Sequence, residues 1–284
     1  MNPLVSLMTP VYNAMPYLED YLDCVIAQTW RPLELIISDD GSTDDSAACI
    51  EKNLPRFNEA GISVRFLRNP HASQSAAINA ALREVSGEYL TWCDADDIML
   101  PECVGKKALY LIEHPSVGMV RNDGLIIDAD TGEIVSRSTR ESDRHTQPVF
   151  RELFLQTTYC YAGCYMVRMS LFDECCPGRR IPESPEGQNL QLLLPAASRT
   201  ECGFVPDILH QYMKRSSGHS SQQRSYTEKR RRILNFSALF REILPYCVCD
   251  RDFYESEIRR VEKTQLDLLN YSAAVRAREE MKKR

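Results

Sequence analysis

The sequence predicts an α/β domain, with a mainly parallel sheet flanked by helices on both faces, followed by a helical C-terminal tail. Three observations carry this. Short apolar runs alternate with helical periodicities through the N-terminal part of the chain, the pattern of successive βα units. Two of the runs stop on carboxylates and then feed helices, at Asp39-Asp40 and at Asp94-Ala95-Asp96-Asp97. From Ser225 onward the chain changes to charged stretches with helical spacing.

Leu4 to Met8 reads as the first strand, closed by Thr9-Pro10. Beyond Pro16, Leu18, Leu22, Val25 and Ile26 fall at helical spacing. Leu33 to Ser38 is the second strand. Gly41 permits a sharp turn after it. Ser42 with Asp45 approximates a capping box, which predicts a helix from Thr43 toward Phe57. Ile62 to Leu67 alternates as a strand does. Ser73 to Val85 reads as an Ala-rich helix ended by Ser86-Gly87. Tyr89 to Cys93 is the next strand, and a helix from Pro101 to Glu113 is broken by His114-Pro115. Val117 to Asp128 and Glu133 to Val135 are expected as strands around the turn Asp130-Thr131-Gly132. Ala162 to Val167 and Ile208 to Met213 are further strands. Pro177 to Gly187 reads as a loop that leads into an apolar helix from Gln188 to Ala197. Two long helices follow Ser225, split near Pro245-Tyr246.

At 284 residues the chain suits one domain with an appendage, and the natural division is 1–221 and 222–284. Net charge is -6, which argues against general nucleic-acid binding. The charge is uneven. Residues 222–284 hold 15 Lys+Arg against 10 Asp+Glu, or +5, leaving 19 against 30, or -11, for the rest. No apolar run approaches the ~20 residues that span a bilayer. Met1-Asn2-Pro3-Leu4 lacks the basic flank and apolar core of a signal peptide. The 11 cysteines form no Cys-x-x-Cys pair, so free thiols in a reducing cytoplasm are expected.

Asp94, Asp96 and Asp97 crowd one strand end, and such a cluster repels itself unless water or a cation screens it. Hard cations take carboxylate oxygens, so this strand end suits a divalent metal that holds a diphosphate. A solvated Asp-rich turn is the alternative. Ligands of open α/β sheets bind at the carboxyl ends of strands. The two acidic clusters are therefore expected to share one edge.

Val5-Ser6-Leu7-Met8-Thr9-Pro10-Val11-Tyr12-Asn13, Asp39-Asp40-Gly41-Ser42-Thr43-Asp44 and Gly87 to Asp97 resemble, in order, motifs of family 2 glycosyltransferases of the GT-A fold. The resemblance is strong from Val5 to Pro101, looser toward Ser221, and absent from the tail. It implies a metal-dependent, inverting transfer of a sugar from a nucleotide-sugar, with a UDP-sugar as donor. It implies Mn²⁺ or Mg²⁺ as cofactor, and a glycan or lipid-linked acceptor in surface polysaccharide or glycolipid assembly. Carried over by residue, Pro10 and Tyr12 would line the nucleotide pocket, although simple packing also accounts for Tyr12. Asp40 would accept from the uracil imide, with Asp39 nearby. Asp94 would face the ribose or a metal-bound water, and Asp96 would ligate the metal. His219 stands where the family often has a His-Ser element, which makes it a third metal ligand or an exposed loop residue.

The chain departs from the family in two places. Relatives carry glycine and a basic residue around the helix beside the donor, where this chain has His71-Ala72-Ser73 and, before Asn79, Ala77-Ile78. More seriously, inverting transfer needs a carboxylate to deprotonate the acceptor hydroxyl. The family usually places Glu-Asp where Gln188-Asn189 stand here, and neither amide acts as a base. Gln188 and Asn189 are left as candidate acceptor contacts. Glu186, just upstream, is the candidate base, or else a residue favouring a helix N-terminus. A chain without the base would bind a nucleotide-sugar without turning it over. A metal-dependent phosphatase using Asp94 as nucleophile is a third reading.

In the tail, Lys229 to Arg232 precede Ile233, Leu234, Phe236, Leu239, Phe240, Ile243 and Leu244, an amphipathic helix with a basic start. Such a helix packs on the domain or on a second copy. The alternative is reversible contact with anionic membrane, where a lipid-linked acceptor would be found. The expected location is the cytoplasm, peripheral to the membrane in the second case.

Overall fold

In the computed structural model, which describes residues 1–216 and 224–282, strand and helix alternate as β1 (Val5–Val11), α1 (Leu18–Ile26), β2 (Leu33–Asp39), α2 (Ser46–Glu59), β3 (Ile62–Arg68), α3 (Gln74–Glu84) and β4 (Tyr89–Trp92). There follow β5 (Ile98–Met99), α4 (Cys103–Glu113), β6 (Met119–Asp128), β7 (Ile134–Arg137), α5 (Phe150–Phe154), β8 (Tyr165–Arg168), α6 (Met169–Cys175), α7 (Gln188–Ala197) and β9 (Cys202–Lys214). The tail forms α8 (Tyr226–Ile243) and α9 (Arg251–Lys282).

β1 and β2 are buried along their whole length, as strands covered on both faces are. The sheet order is β3-β2-β1-β4-β8-β6-β9-β5, with β7 on β6. β3, β2, β1 and β4 are mutually parallel. β8 runs antiparallel to β4 and β6, and β9 parallel to β6. The chain steps outward from β1 through β2 to β3, then returns to place β4 on the other side of β1. Strand order therefore reverses between β1 and β4, and a crevice opens at that reversal.

Alternate residues feed two cores. Met8, Ile36, Leu90 and Trp92 face a core completed by helices that include α3 and α7. Leu7, Leu35, Ile37 and Tyr89 face another that includes α1, α2 and α4. The tail joins the first core: Leu239, Phe240 and Ile243 of α8, Leu244 just beyond its end and Ile258 of α9 are buried there, the α8 residues at the i, i+1, i+4 spacing of one helix face. The Phe240 ring lies 4.7 Å from that of Phe154. The tail thus packs on the α/β domain. The 221/222 division and His219 fall outside the described residues. Among the described residues no helix is long and apolar enough to cross a membrane. The cysteines are free.

Three local expectations are revised. β1 continues through Pro10 instead of closing before it. The β1–β4 ladder ends at Met8 opposite Trp92, so the missing N–H of Pro10 costs no ladder bond. The Ser42 capping box does not form, and α2 begins at Ser46. The Ser42 hydroxyl is taken by Asp39 at 2.5 Å, while Asp44 accepts from Ser46 N and Met15 N. β9 starts at Cys202, well before Ile208, because it follows β6 along its length with irregular register beside Asp123.

Candidate active site

Two close approaches set the strands around the site, one joining the loops that follow β2 and β3 and the other, at the opposite edge, the starts of β1 and β4. Gly41 has φ +73, and a Cβ there would meet His71 N at 2.6 Å; only glycine suits both demands. Gly87 packs so tightly that a Cβ would meet Leu4 O at 2.8 Å. Asn13 bridges the loops, its side-chain oxygen accepting from Thr43 N at 2.8 Å. Around the strand reversal lies a cleft of about 550 Å³, within the usual range for small-ligand sites. Pro10, Tyr12, Asp40, Asp94 and Asp96 line it, together with Tyr17, His71, Gln74 and Arg215.

Asp40 is almost fully buried. Its Oδ1 accepts from Ala72 N at 3.0 Å and Ser73 N at 3.2 Å. His71 Nδ1 stands 3.0 Å from its Oδ2. The imidazole also stacks on Tyr12, with ring centroids 4.4 Å apart. Tyr12 is half exposed at the cleft mouth, with His71 covering one face of its ring. Asp39 points away from the cleft and accepts from Ser42 N and Oγ. It shapes the turn.

The turn after β4 divides its three carboxylates by environment. Asp97 is buried, accepts from Met213 N at 2.9 Å and lies 3.4 Å from His210 Nε2. Burial opposes a charge on His210, yet Cys164 and Asp97 raise its pKa well above the ordinary imidazole value. Asp96 reaches the cleft, where Arg215 Nη1 donates to its Oδ2 and Nη2 to its carbonyl, both at 2.9 Å. The Arg215 guanidinium lies 3.8 Å over the Tyr17 ring. Burial and Asp97 raise the Asp96 pKa against the pull of Arg215. Asp94 faces the cleft with Gln74 Nε2 3.4 Å away. Burial, then Asp97 and Asp96, push its carboxyl up to about 7. Asp94 and Asp96 are hard oxygen donors in a cluster that a cation would relieve, which fits a divalent metal. Among the described residues no three His, Cys, Asp or Glu side chains converge as a preformed cage.

The residues proposed for acceptor chemistry lie behind this cleft. Asn189 Oδ1 accepts from Trp92 Nε1 at 2.8 Å, and Gln188 Nε2 donates to Ser184 O at 3.2 Å. Glu186 is largely buried and faces Arg232 of α8 at 3.3 Å. None of the three lines the cleft. Asn79 does not face it either; it bonds both backbone groups of Ile181. Sequence reasoning missed Tyr17, His71 as a partner of Asp40, and Arg215. The available signal for Arg215 was its place at the end of a strand, opposite an acidic cluster with no cation of its own.

An α/β fold whose strand-reversal crevice carries such a turn is that of a nucleotide-diphospho-sugar transferase, GT-A. A sequence profile of Glycosyl transferase family 2 matches residues 6–176, and the chain belongs to that family. The chain is 24% identical to glycosyltransferase GlyG of Streptococcus pneumoniae over 76% of its own length and 72% of that protein. It is 36% identical to GlyA of the same organism over 33% of its length, a match that takes in 13% of GlyA. A glycosyltransferase of Rickettsia bellii is 30% identical over 62% of this chain and 26% of its own length. GlyA and the Rickettsia protein are therefore far longer than the part the chain spans. S. aureus TarS 1-349 in complex with UDP-GlcNAc superposes with a TM-score of 0.64 at 18% identity, over 92% of this chain and 71% of that one. The mannosyltransferase PcManGT from Pyrobaculum calidifontis, in complex with GDP-Man and Mn²⁺, gives 0.62 at 17% identity, over 98% and 76%. These likenesses establish the fold.

The raised Asp94 value has a signed consequence. A carboxyl whose folded value is raised adds stability below its unfolded value and loses it as pH climbs through the folded one. Without divalent cation, Asp94→Asn should match wild type in thermal stability near about pH 4 and exceed it near about pH 8. Scans of both proteins across that range check this, and parallel profiles would show that burial and the neighbouring Asp97 and Asp96 do not raise Asp94.

Proposed function

We propose that the chain transfers a sugar from a UDP-sugar to a glycan or lipid-linked acceptor, with inversion and with help from Mn²⁺ or Mg²⁺. The observation that carries this reading is the juxtaposition of Asp94 and Asp96 with Tyr12 and Asp40 across one cleft at the strand reversal. Family membership and the nucleotide-sugar complexes of TarS and PcManGT support it. They give no support to the phosphatase reading.

In this reading the base stacks on Tyr12 and its imide N–H donates to Asp40, whose Oδ2 exchanges His71 for the base. Asp96, with Asp94 beside it and His219 as a further candidate, would hold the metal, which supplies neutralisation of charge on the departing diphosphate. Arg215 adds a protein cation at the same place and serves the same leaving group. The acceptor oxygen bonds to the anomeric carbon as the carbon–oxygen bond to the diphosphate breaks. Its proton passes to a carboxylate. We assign that carboxylate to Glu186, which must leave Arg232 to serve. Pinned at that pair it would give the alternative, a chain that binds donor without transfer. The placement supported by this reading is cytoplasmic, where nucleotide-sugars are used, with 1–221 as the transferase unit and 222–284 as its helical extension.

Asp96→Ala should abolish Mn²⁺-dependent binding of UDP while the fold persists. Calorimetric titration of UDP with and without Mn²⁺ is the measurement, and a full metal-dependent gain in the variant would remove Asp96 from the site. Glu186→Gln should lower transfer by about 10²–10⁴-fold, the usual worth of a general base, and leave UDP affinity unchanged. Steady-state transfer at the wild-type rate would exclude Glu186.

A further inference from the structure

A second concavity lies between α8 and α9, with a volume of about 440 Å³. Lys229, Arg232, Ile233 and Phe236 present one face of α8 to it, and Gln265, Leu268 and Leu269 one face of α9, both at i, i+3, i+4 spacing. Arg224 joins Lys229 and Arg232 in lining it. The groove is therefore cationic toward the start of α8 and apolar along its floor. Two features leave room for an occupant. Leu268 is 61% exposed. Arg232 Nη1 is buried without a hydrogen bond, at ion-pair distance from Glu186. Lys229 also sits in the first turn of α8, where the helix dipole disfavours a cation.

We propose that this groove binds one phosphate-bearing lipid molecule, its phosphate on Arg224, Lys229 and Arg232 and its chain over Ile233, Phe236 and Leu268. The charge matches a phosphate and the floor an alkyl chain. The apolar patch between the two helices spans only a few residues, the scale of a single chain and not of a bilayer surface.

The groove adjoins the machinery of the reaction proposed above, and its role as the acceptor's seat rests on that reading. Gly187 has φ +66, and a Cβ there would lie 2.8 Å from Leu239 and 3.1 Å from Phe236, so the 182–187 loop closes directly on α8. On its other side that loop accepts from Ser75 Oγ of α3 through Ser184 O at 2.8 Å. The next residue of α3 but one, Ala77, lines the donor cleft. One loop thus separates the two cavities, and Glu186 stands on the groove side of it. A phosphate on Arg232 would compete with Glu186 for the guanidinium and release that carboxylate for the acceptor hydroxyl. The acceptor itself would then free the base.

The test titrates the full chain with dodecyl phosphate, kept below its micelle concentration, by calorimetry. Inorganic phosphate supplies the charge alone, dodecyl maltoside the chain alone, and vesicles of anionic phospholipid a surface. Dodecyl phosphate should bind at least about tenfold tighter than either soluble control, and Lys229→Ala and Leu268→Asp should each weaken it about tenfold. Both positions are partly or largely exposed, so folded variants are expected, and unchanged UDP affinity confirms the donor cleft in each. Equal binding of the two dodecyl compounds, equal binding of inorganic phosphate, or affinity unmoved by both variants would overturn the proposal. So would association with vesicles alone. Dodecyl phosphate binding in a protein that fails to bind UDP would keep the lipid site but remove its acceptor role and the donor reading with it.

Discussion

The tie between the acidic turn after β4 and the end of β9 is the constraint on which the site depends. Asp97 is buried and would be intolerable there as an isolated charge. Met213 N and His210 compensate it, and Arg215 fastens Asp96 through both side chain and backbone. Removing one partner of such a buried charged pair typically costs about 3–5 kcal/mol, so the turn has little freedom to relax. With Asp97 turned inward, Asp94 and Asp96 are left facing the cleft. Burial first, then repulsion from Asp97 and Asp96, raises the value of Asp94, and a cation would relieve the repulsion.

Topology makes that tie possible. The reversal of strand order at β1 and β4 opens the crevice, and β9, arriving parallel to β6, delivers Arg215 beside it. α3 forms one wall through Gln74 and Ala77 and carries the contact onward. Ser75 and Asn79 on its far side bond Ser184 and Ile181, which fixes the loop bearing Glu186. α8 then packs against that loop from outside. The helical tail is thus continuous with the core that supports the cleft, whatever additional role its groove has.

Much of this was legible in the sequence because it rests on local signals. Continuous apolar runs marked β1, β2 and β4, and the carboxylates at their ends marked the shared edge. Ser73 capped α3 as a helix-start residue should, accepting from Ala76 N at 3.1 Å. What escaped was set by tertiary partners. Ser42 had the right spacing for a capping box, but Asp39 claimed its hydroxyl. Arg215 looked like any loop cation until β9 brought it to Asp96. Glu186 was chosen by its nearness in sequence to Asn189, and only the packing of α8 shows that its first partner is Arg232.

The central claim is that the Asp94–Asp97 turn and the end of β9 together receive a metal-bound nucleotide diphosphate. A crystal structure of the chain with UDP and Mn²⁺ tests it most directly. The account predicts the metal on Asp96, the uracil against Tyr12 and Asp40, and Arg215 turned from Asp96 toward the phosphates. A nucleotide bound elsewhere, with Arg215 still clasping Asp96 in an otherwise unchanged cleft, would contradict it.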